Sequence, residues 1–515
     1  MKELSPEAII LKEIVNPERI EETHISYAMI TDEYVYKLKK SVDFGFLDYR
    51  LSKNRRKYCI LEKELNSRFC KNVYIDVLKI IKTGKEFKLV PHTNTMYAID
   101  YVLKMKRIKE KDFFMTKLKN GEIDGKTAYE IGKQIATLFK KIETPINHAM
   151  ENGSCEVIKF NCDENFTQTE KYVGSLIDKE VFEFIKSKTL SFINDNKELF
   201  DKRVEDGFVK DGHGDLRIDH VFFDGEKKIG LLDCIEFNRR FRFNDVVSEI
   251  AFLSMELDTK GYYEISDNIL EGFFSIFDDD DSRRLINFYR CYRAYVRAKV
   301  TCFLLEEKGK EWDAYNVIKQ DLDKLLDASV TYALNMEKIK NCVFYGVMGS
   351  GKTKNSKFFV KKYPFRHLNT DVERKLLFGY NPEEPVRVDF NKGLYSYESS
   401  IKTYKHIAKK VSRLNRVGRA IVIDGSFSKK EYFSLLNEQN LNYYKILFMA
   451  PVETLKERLI ERDEKISVSD GRLELLNKQV ESFETEHLAD LVVETTGPVE
   501  KNLKRIVGFI LDNEA

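Results

Sequence analysis

Gly346-Val347-Met348-Gly349-Ser350-Gly351-Lys352-Thr353 is the stretch on which the fold turns. A polyphosphate tail carries several negative charges, and a loop that wraps it must aim backbone amides inward at close range, which favours glycine. Gly346, Gly349 and Gly351, with Ser350 between them, supply such a loop; Lys352 can reach the terminal phosphates and Thr353 can place a hydroxyl on Mg²⁺. The context agrees. An apolar run at 342–345 leads in and a helical pattern leads out, as a strand, loop and helix phosphate site requires.

Outward from the loop the same rhythm continues. Apolar runs at 342–345, 420–423, 445–449 and 491–493 are each followed by a helical pattern, the alternation of βαβ units around a parallel sheet flanked by helices. Upstream, the helical stretch 312–336 ends in the charged step Glu337-Lys338-Ile339-Lys340, which separates residues 1–338 from a P-loop α/β domain over 339–515. The first part opens with a hairpin pattern: His24 to Ile30, a polar turn, then the alternating Tyr34-Val35-Tyr36-Lys37-Leu38-Lys39. A helix is expected over 56–70 and strands near 74–80 and 97–105. A small sheet-bearing lobe of about 1–106 thus precedes a helical lobe of about 107–338, whose spacing of threes and fours is clearest from Ala128 to Phe139. The fold class is α/β and α+β, multidomain.

The 515 residues, 43% hydrophobic and 33% charged, suit a globular chain of several domains. A net charge of +2, from 86 basic against 84 acidic side chains, provides no global field for nucleic acid or an anionic membrane. Eight cysteines lie far apart with no CxxC pair, and read as reduced, mostly buried thiols. The N-terminus has no apolar signal core, and no window approaches the roughly 18 apolar residues of a membrane span, so the expected address is cytoplasmic.

Three further groups in the last third give the loop something to act with. Asp424 ends the apolar run Ile421-Val422-Ile423, where such a sheet can hold a carboxylate near a metal or its water, although a strand-end Asp also forms turns. Asp371, with Arg374 three residues on, can take the proton of an acceptor hydroxyl while the arginine holds an anionic group; the alternative is a helix cap at Asp371 beside a solvated arginine. Arg458 and Arg462, four apart on a helical face, can close over a transferring phosphate as a lid does, or sit on the surface among glutamates. These residues resemble the P-loop kinase group of AAA-type ATP-binding folds that includes polynucleotide kinases, gluconate kinases and zeta-toxin-like kinases, over about 341–515. The resemblance implies ATP and Mg²⁺, with Asp371 as the acceptor-activating acid, Arg374 as a substrate arginine, and Arg458 and Arg462 as lid arginines.

In the first part the chemistry gathers at His213-Gly214-Asp215-Leu216-Arg217-Ile218-Asp219-His220 and at Asp233-Cys234-Ile235-Glu236-Phe237-Asn238. Asp215 and Asp233 flank two short apolar strands that turn around Asp224-Gly225. The pairing suits phosphoryl transfer, one acid deprotonating a hydroxyl and the other holding Mg²⁺ on ATP; an acidic hairpin is the plainer reading. His213-Gly214-Asp215-Leu216 with Asp233 eighteen residues later resembles the catalytic loop and metal-binding Asp of the aminoglycoside phosphotransferase and protein-kinase-like superfamily. With Val35-Tyr36-Lys37-Leu38, Phe44-Gly45-Phe46-Leu47-Asp48 and Phe241-Arg242-Phe243-Asn244-Asp245, nearly the whole chain is similar to two-domain bacterial proteins that join such a domain to a P-loop kinase. The resemblance implies a bilobal protein-kinase-like fold with Asp215 as base, Asp233 as Mg²⁺ ligand and Lys37 on the α/β phosphates. Its orienting acid is Glu62 rather than Glu64, because Glu62 shares a helical face with Leu65 and Phe69.

His220 departs from the pattern, standing where the superfamily places a metal-binding asparagine. Imidazole is a poor Mg²⁺ ligand, so His220 is expected on the acceptor, on a bridging water, or in a structural role. His213 and Arg217, beside Asp215, are counted with it on the substrate side. Arg290, Arg293 and Arg297 form a row on the helical stretch 285–299 that would suit an anionic acceptor, or simply face solvent. The function expected is a bifunctional ATP- and Mg²⁺-dependent phosphotransferase acting on hydroxyls of small-molecule acceptors. A P-loop kinase governed by a degenerate kinase-like domain, and a polynucleotide 5′-hydroxyl kinase, are the alternatives.

Overall fold

The structure is a computed structural model; it describes residues 4–45, 47–225, 227–386, 389, 391–463 and 473–513, with backbone alone at 462 and 463. The chain divides into two compact units, Met1–Asn161 with Asn196–Leu257 and Glu264–Asp278, and Cys162–Asp195 with Asp258–Tyr263 and Asp279–Ala515. Among the described residues, no helix is long and apolar enough to cross a membrane. All eight cysteines are buried.

The first unit is built on a six-stranded antiparallel sheet in the order Arg19–Glu22, Ser26–Ile30, Tyr34–Lys39, Asp100–Lys106, Tyr74–Thr83, Glu86–Pro91. The two edge strands were not legible as strands: Arg19–Glu22 is mostly exposed and lacks an apolar alternation. Side chains alternate across a strand, so Tyr34–Lys39 sends Leu38 into the cluster of Ala8, Leu11, Met29 and Val102 under the helix Pro6–Val15, and Lys37 and Lys39 to the opposite face. That face meets the helix Ser52–Asn66, which starts four residues earlier than the sequence suggests. It buries Arg55, Cys59, Glu62, Leu65 and Asn66 at helical spacing. Two short antiparallel pairs, Val209–Asp211 with Phe243–Asp245 and the hairpin Val221–Phe223 with Ile229–Leu231, frame the acidic segments.

The second unit holds a five-stranded, all-parallel sheet in the order Arg366–Asn369, Ile421–Gly425, Asn341–Tyr345, Tyr443–Met449, Leu491–Glu494. Its central strand is covered on both faces, Val343 and Tyr345 by one core and Cys342 and Phe344 by the other, which explains an unbroken apolar run instead of an alternation. The order reverses at this strand, so the loop after it opens into the crevice at the carboxyl ends.

The compact units are drawn differently from the boundary near 338. The helices Lys179–Asp195, Asp280–Lys308 and Tyr315–Leu334 group with the parallel sheet. A buried charge cluster lies within this unit. Asp258 accepts from Arg419 Nη1 and Nη2, each at 2.7 Å, and from Tyr332 Oη at 2.7 Å. Arg290 donates to the carbonyls of Val417 at 3.2 Å and Gly418 at 3.4 Å, while Asn287 donates to Gly418 O at 3.0 Å.

In the first unit the helices Gly125–Lys140 and Tyr263–Phe274 cross so closely that a Cβ at Gly132 would lie 1.9 Å from Ile269 O, and one at Gly272 1.9 Å from Tyr129 O. Helix propensity favours alanine over glycine by about 1 kcal/mol. A backbone clash this deep cannot relax by side-chain motion, and overpacking of this kind costs about 1–3 kcal/mol, so the clash wins. Gly132→Ala and Gly272→Ala should each lower the unfolding midpoint; a midpoint unchanged or raised in either would show that the helices do not cross this closely.

Candidate active sites

In the second unit, backbone geometry explains the glycine that opens the loop. Gly346 has φ 148°, and a Cβ there would sit 2.4 Å from Phe448 O. The helix Lys352–Lys362 follows, and Lys352 and Thr353 line a cavity of about 160 Å³ together with Asp371, Arg374 and Asp424. Five residues far apart in sequence thus meet at one opening.

Asp424 is fully buried on its strand. Its Oδ2 accepts from Asn369 Nδ2 at 2.8 Å and lies 3.2 Å from His367 Nε2, while Oδ1 has no hydrogen-bond partner among the described residues. Burial pushes this carboxyl up, but the His367 hydrogen bond, the Lys352 ammonium and the Thr353 hydroxyl outweigh it and hold Asp424 below its ordinary range. The glycine-built loop, with the Lys352 ammonium, the Thr353 hydroxyl and the buried Asp424 carboxylate close together, fits a polyphosphate with its divalent ion.

Asn369 was not singled out from the sequence. It caps the helix Thr370–Leu377, its Oδ1 accepting from Asp371 N at 3.0 Å and Val372 N at 3.1 Å. Capping therefore falls to Asn369, and Asp371 stands in the first turn with its side chain on the cavity. An asparagine just before a helix start is the signal that could have found it. Arg374 is 5% exposed, donating through Nη1 to Leu394 O and Ser400 Oγ, each at 3.1 Å, with Tyr395 under its guanidinium at 4.9 Å.

The lid arginines fare differently. Arg458 donates to Gly349 O at 3.1 Å, Thr495 Oγ1 at 2.9 Å and Thr495 O at 2.6 Å, so it braces the loop against the end of a neighbouring strand. Arg462 belongs to the same helix, Val452–Asp463, and its side chain lies outside what the structure describes. The arginine row is turned inward. Arg290 is fully buried in the Asp258 cluster, Arg293 is 5% exposed and Arg297 half-buried, because the helix Asp280–Lys308 uses that side for packing rather than for solvent.

In the first unit, Lys37 Nζ donates to Glu62 Oε1 at 2.8 Å and to Asp233 Oδ1 at 2.7 Å, while Glu64 is exposed. Burial works against the Lys37 ammonium, but Asp233 and Glu62 outweigh it and raise its pKa well above the usual value; Lys37 in turn holds Asp233 far below the carboxylate range. Asp233 takes a left-handed backbone, φ 63°, uncommon for a residue other than glycine and found where a site over-determines its geometry. Its N–H donates to Tyr74 Oη at 3.0 Å.

The loop carrying Asp215 is pinned by groups the sequence did not flag. Glu249 Oε1 accepts the N–H groups of His213 and Gly214, each at 2.8 Å. His213 and Arg217 are spoken for by the fold: His213 is fully buried, and Arg217 donates to Glu256 Oε1 at 2.9 Å. His220 Nδ1 donates to Asp215 O at 2.7 Å and lies 3.7 Å from Asp215 Oδ2. Of its three expected roles, this geometry favours the structural one.

Residues 342–485 match the protein family described as an AAA domain. Uncharacterized proteins of Mycobacterium tuberculosis strain H37Rv and of Mycobacterium bovis are each 25% identical over 496 residues, covering 94% of this chain and 93% of the relative. Among solved structures, similarity extends to an ADP-bound aminoglycoside phosphotransferase, APH(2'')-Ib, at 16% identity over 63% of this chain and 97% of that one, with a TM-score of 0.35. A sugar kinase from Janibacter sp. HTCC2649 follows at 19% identity over 34% of this chain and 95% of that one, TM-score 0.28. A gluconokinase from Sinorhizobium meliloti stands at 17% over 34% and 93%, TM-score 0.26.

His213 carries a pH dependence. Its Nε2 donates to Leu232 O at 2.7 Å and its Nδ1 accepts from Asp215 N at 3.3 Å, so the neutral ring uses both nitrogens. Burial, then the neighbouring His220, push its pKa down from 6.5 to about 3. The folded pKa lies below the unfolded one, so stability from the neutral ring is complete above pH 6.5 and falls as the pH drops toward 3, as the unfolded chain takes up a proton first. The slope is about 1.4 kcal/mol per pH unit within that window. By NMR titration one imidazole should stay neutral at pH 5; if all eight histidines titrate near their ordinary value, the buried neutral ring is refuted.

Proposed function

We propose that this chain is a two-site phosphotransferase that moves the γ-phosphoryl group of ATP to hydroxyl groups of small acceptors, residues 1–338 carrying one activity and 339–515 the other. One observation carries the proposal: each unit, taken by itself, gathers a lysine for phosphate, a carboxylate suited to a divalent ion and a second acid. In the first, Lys37 meets Asp233, and His220, a neighbour of Asp233, lies 3.7 Å from Asp215; in the second, Lys352, Asp424 and Asp371 line one cavity.

The reaction is the same at both. The acceptor oxygen bonds to the γ-phosphorus, the bond from that phosphorus to the β–γ bridging oxygen breaks, ADP leaves, and the acceptor's proton passes to a carboxylate. Asp215 is assigned that proton in the first unit, held in place through His220 on its carbonyl and Glu249 on its loop. Asp371 is assigned it in the second, where Asn369 fixes the start of its helix. Mg²⁺, held by Asp233 in one site and by Asp424 and Thr353 in the other, would neutralise charge on the phosphates. Lys37 and Lys352 hold the phosphate tail, and the amides of Gly349 to Thr353 surround it in the second site. A cavity of about 160 Å³ is below the ~300–1,000 Å³ of ordinary ligand pockets and supports a small polar acceptor over a polynucleotide.

A screen of γ-phosphate transfer to sugars, nucleosides, aminoglycosides and 5′-hydroxyl oligonucleotides, run on the full chain, tests the proposal. Asp215→Ala should lower one set of transfers by ~10²–10⁴-fold and leave the other intact; Lys352→Ala should do the reverse. If Asp215→Ala leaves every transfer untouched while Lys352→Ala abolishes all of them, the chain has one active site and the first unit is regulatory.

A further inference from the structure

Behind Lys37 and Asp233 lies a second layer of charge. Lys39, on the same strand face, has a side chain only 1% exposed; it meets Glu62 Oε2 at 2.6 Å and also pairs with Glu236. Glu236, 6% exposed, accepts from Tyr49 Oη at 2.7 Å through the same oxygen. Fully buried Glu62 gives one carboxylate oxygen to each lysine.

By position, Glu236 reads as a second metal ligand, since it stands three residues beyond Asp233 in one segment. Its surroundings argue otherwise. A Mg²⁺ ligand must offer an oxygen to an ion that keeps waters and phosphate oxygens around it. Glu236 instead has an ammonium and a phenol on one oxygen in a closed space, while the Asp233 side chain is 52% exposed. Charge balance points the same way. Two ammonium groups face three carboxylates, and the one carboxylate open to an arriving cation is Asp233.

On the reading of the first unit as a phosphotransferase, we infer that Glu236 is a positioning residue and not a metal ligand. With Lys39 it forms a buried strut that ties the segment after Asp233 to the strand Tyr34–Lys39 and to Glu62. The strut thereby sets where Lys37 stands relative to Asp233. The metal demand of this site falls on Asp233.

The test uses Mn²⁺ as the probe, with a non-hydrolysable ATP analogue, in the full chain carrying Lys352→Ala and Thr353→Ala to weaken binding at the second site. Water-proton relaxation reports the metal, and circular dichroism reports the fold of each variant. Asp233→Asn should weaken Mn²⁺ binding roughly 100-fold; Glu236→Gln should leave it within about threefold and weaken the analogue roughly tenfold. Lys39→Met should weaken the analogue further, and adding Glu236→Gln should restore part of that loss, because the paired change leaves no unmatched carboxylate at Glu236. Tyr49→Phe, which removes a hydrogen bond without changing charge, should act like a milder Glu236→Gln and serves if that variant does not fold. Glu236→Gln losing Mn²⁺ as far as Asp233→Asn overturns the inference in favour of a ligand. Wild-type affinity for both probes, with no coupling between Lys39 and Glu236, overturns it in favour of a bystander. Absence of Mn²⁺–nucleotide binding at the first site in the background chain is a separate outcome, which refutes the phosphotransferase reading and the strut's role with it.

Discussion

A charge taken out of water needs an opposite charge held in good geometry, since removing one partner of a buried pair costs about 3–5 kcal/mol. Both units are arranged around that constraint. In the first, Glu62 is buried with both oxygens on lysines, which fixes the helix Ser52–Asn66 against the strand Tyr34–Lys39 and brings Lys37 to Asp233. In the second, Asp258 is buried on Arg419, one residue ahead of the run that ends at Asp424, so the strand carrying that acid is anchored at its other end.

The two candidate sites are built by different means. The second relies on backbone: an apolar strand covered on both faces, a tight glycine turn and a helix start, with few side chains to place. The first relies on side chains drawn from a strand, a helix and two loops, each aligned by a further layer of partners such as Tyr74, Glu249 and Glu236. A backbone site is specified by a short contiguous motif. A side-chain site is specified by tertiary packing.

That difference accounts for what could be read in advance. The P-loop, the parallel sheet and the strand-end Asp424 follow from local pattern, while an acid beside Lys37 was implied by the family resemblance, and helical spacing chose Glu62 over Glu64 for it. Lys39, Glu236, Glu249 and Asn369 escaped because their importance lies in partners remote in sequence, or, for Asn369, in a cap signal that sat beside a more conspicuous acid. The arginine row on Asp280–Lys308 shows a related limit: periodicity tells that residues share a face, not which face the protein buries, and Arg290, buried against Asp258, looks like a solvated arginine in the sequence.

Asn369 uses its oxygen to cap the helix bearing Asp371 and its nitrogen to hold Asp424. Asp424 and the helix that carries Asp371 are therefore registered through one carboxamide. Arg374, on the same helix as Asp371, extends that register to the cavity wall by donating to Leu394 O and Ser400 Oγ. One asparagine thus sets the spacing between two carboxylates that come from different strands' ends, and a change at Asn369 would disturb both at once.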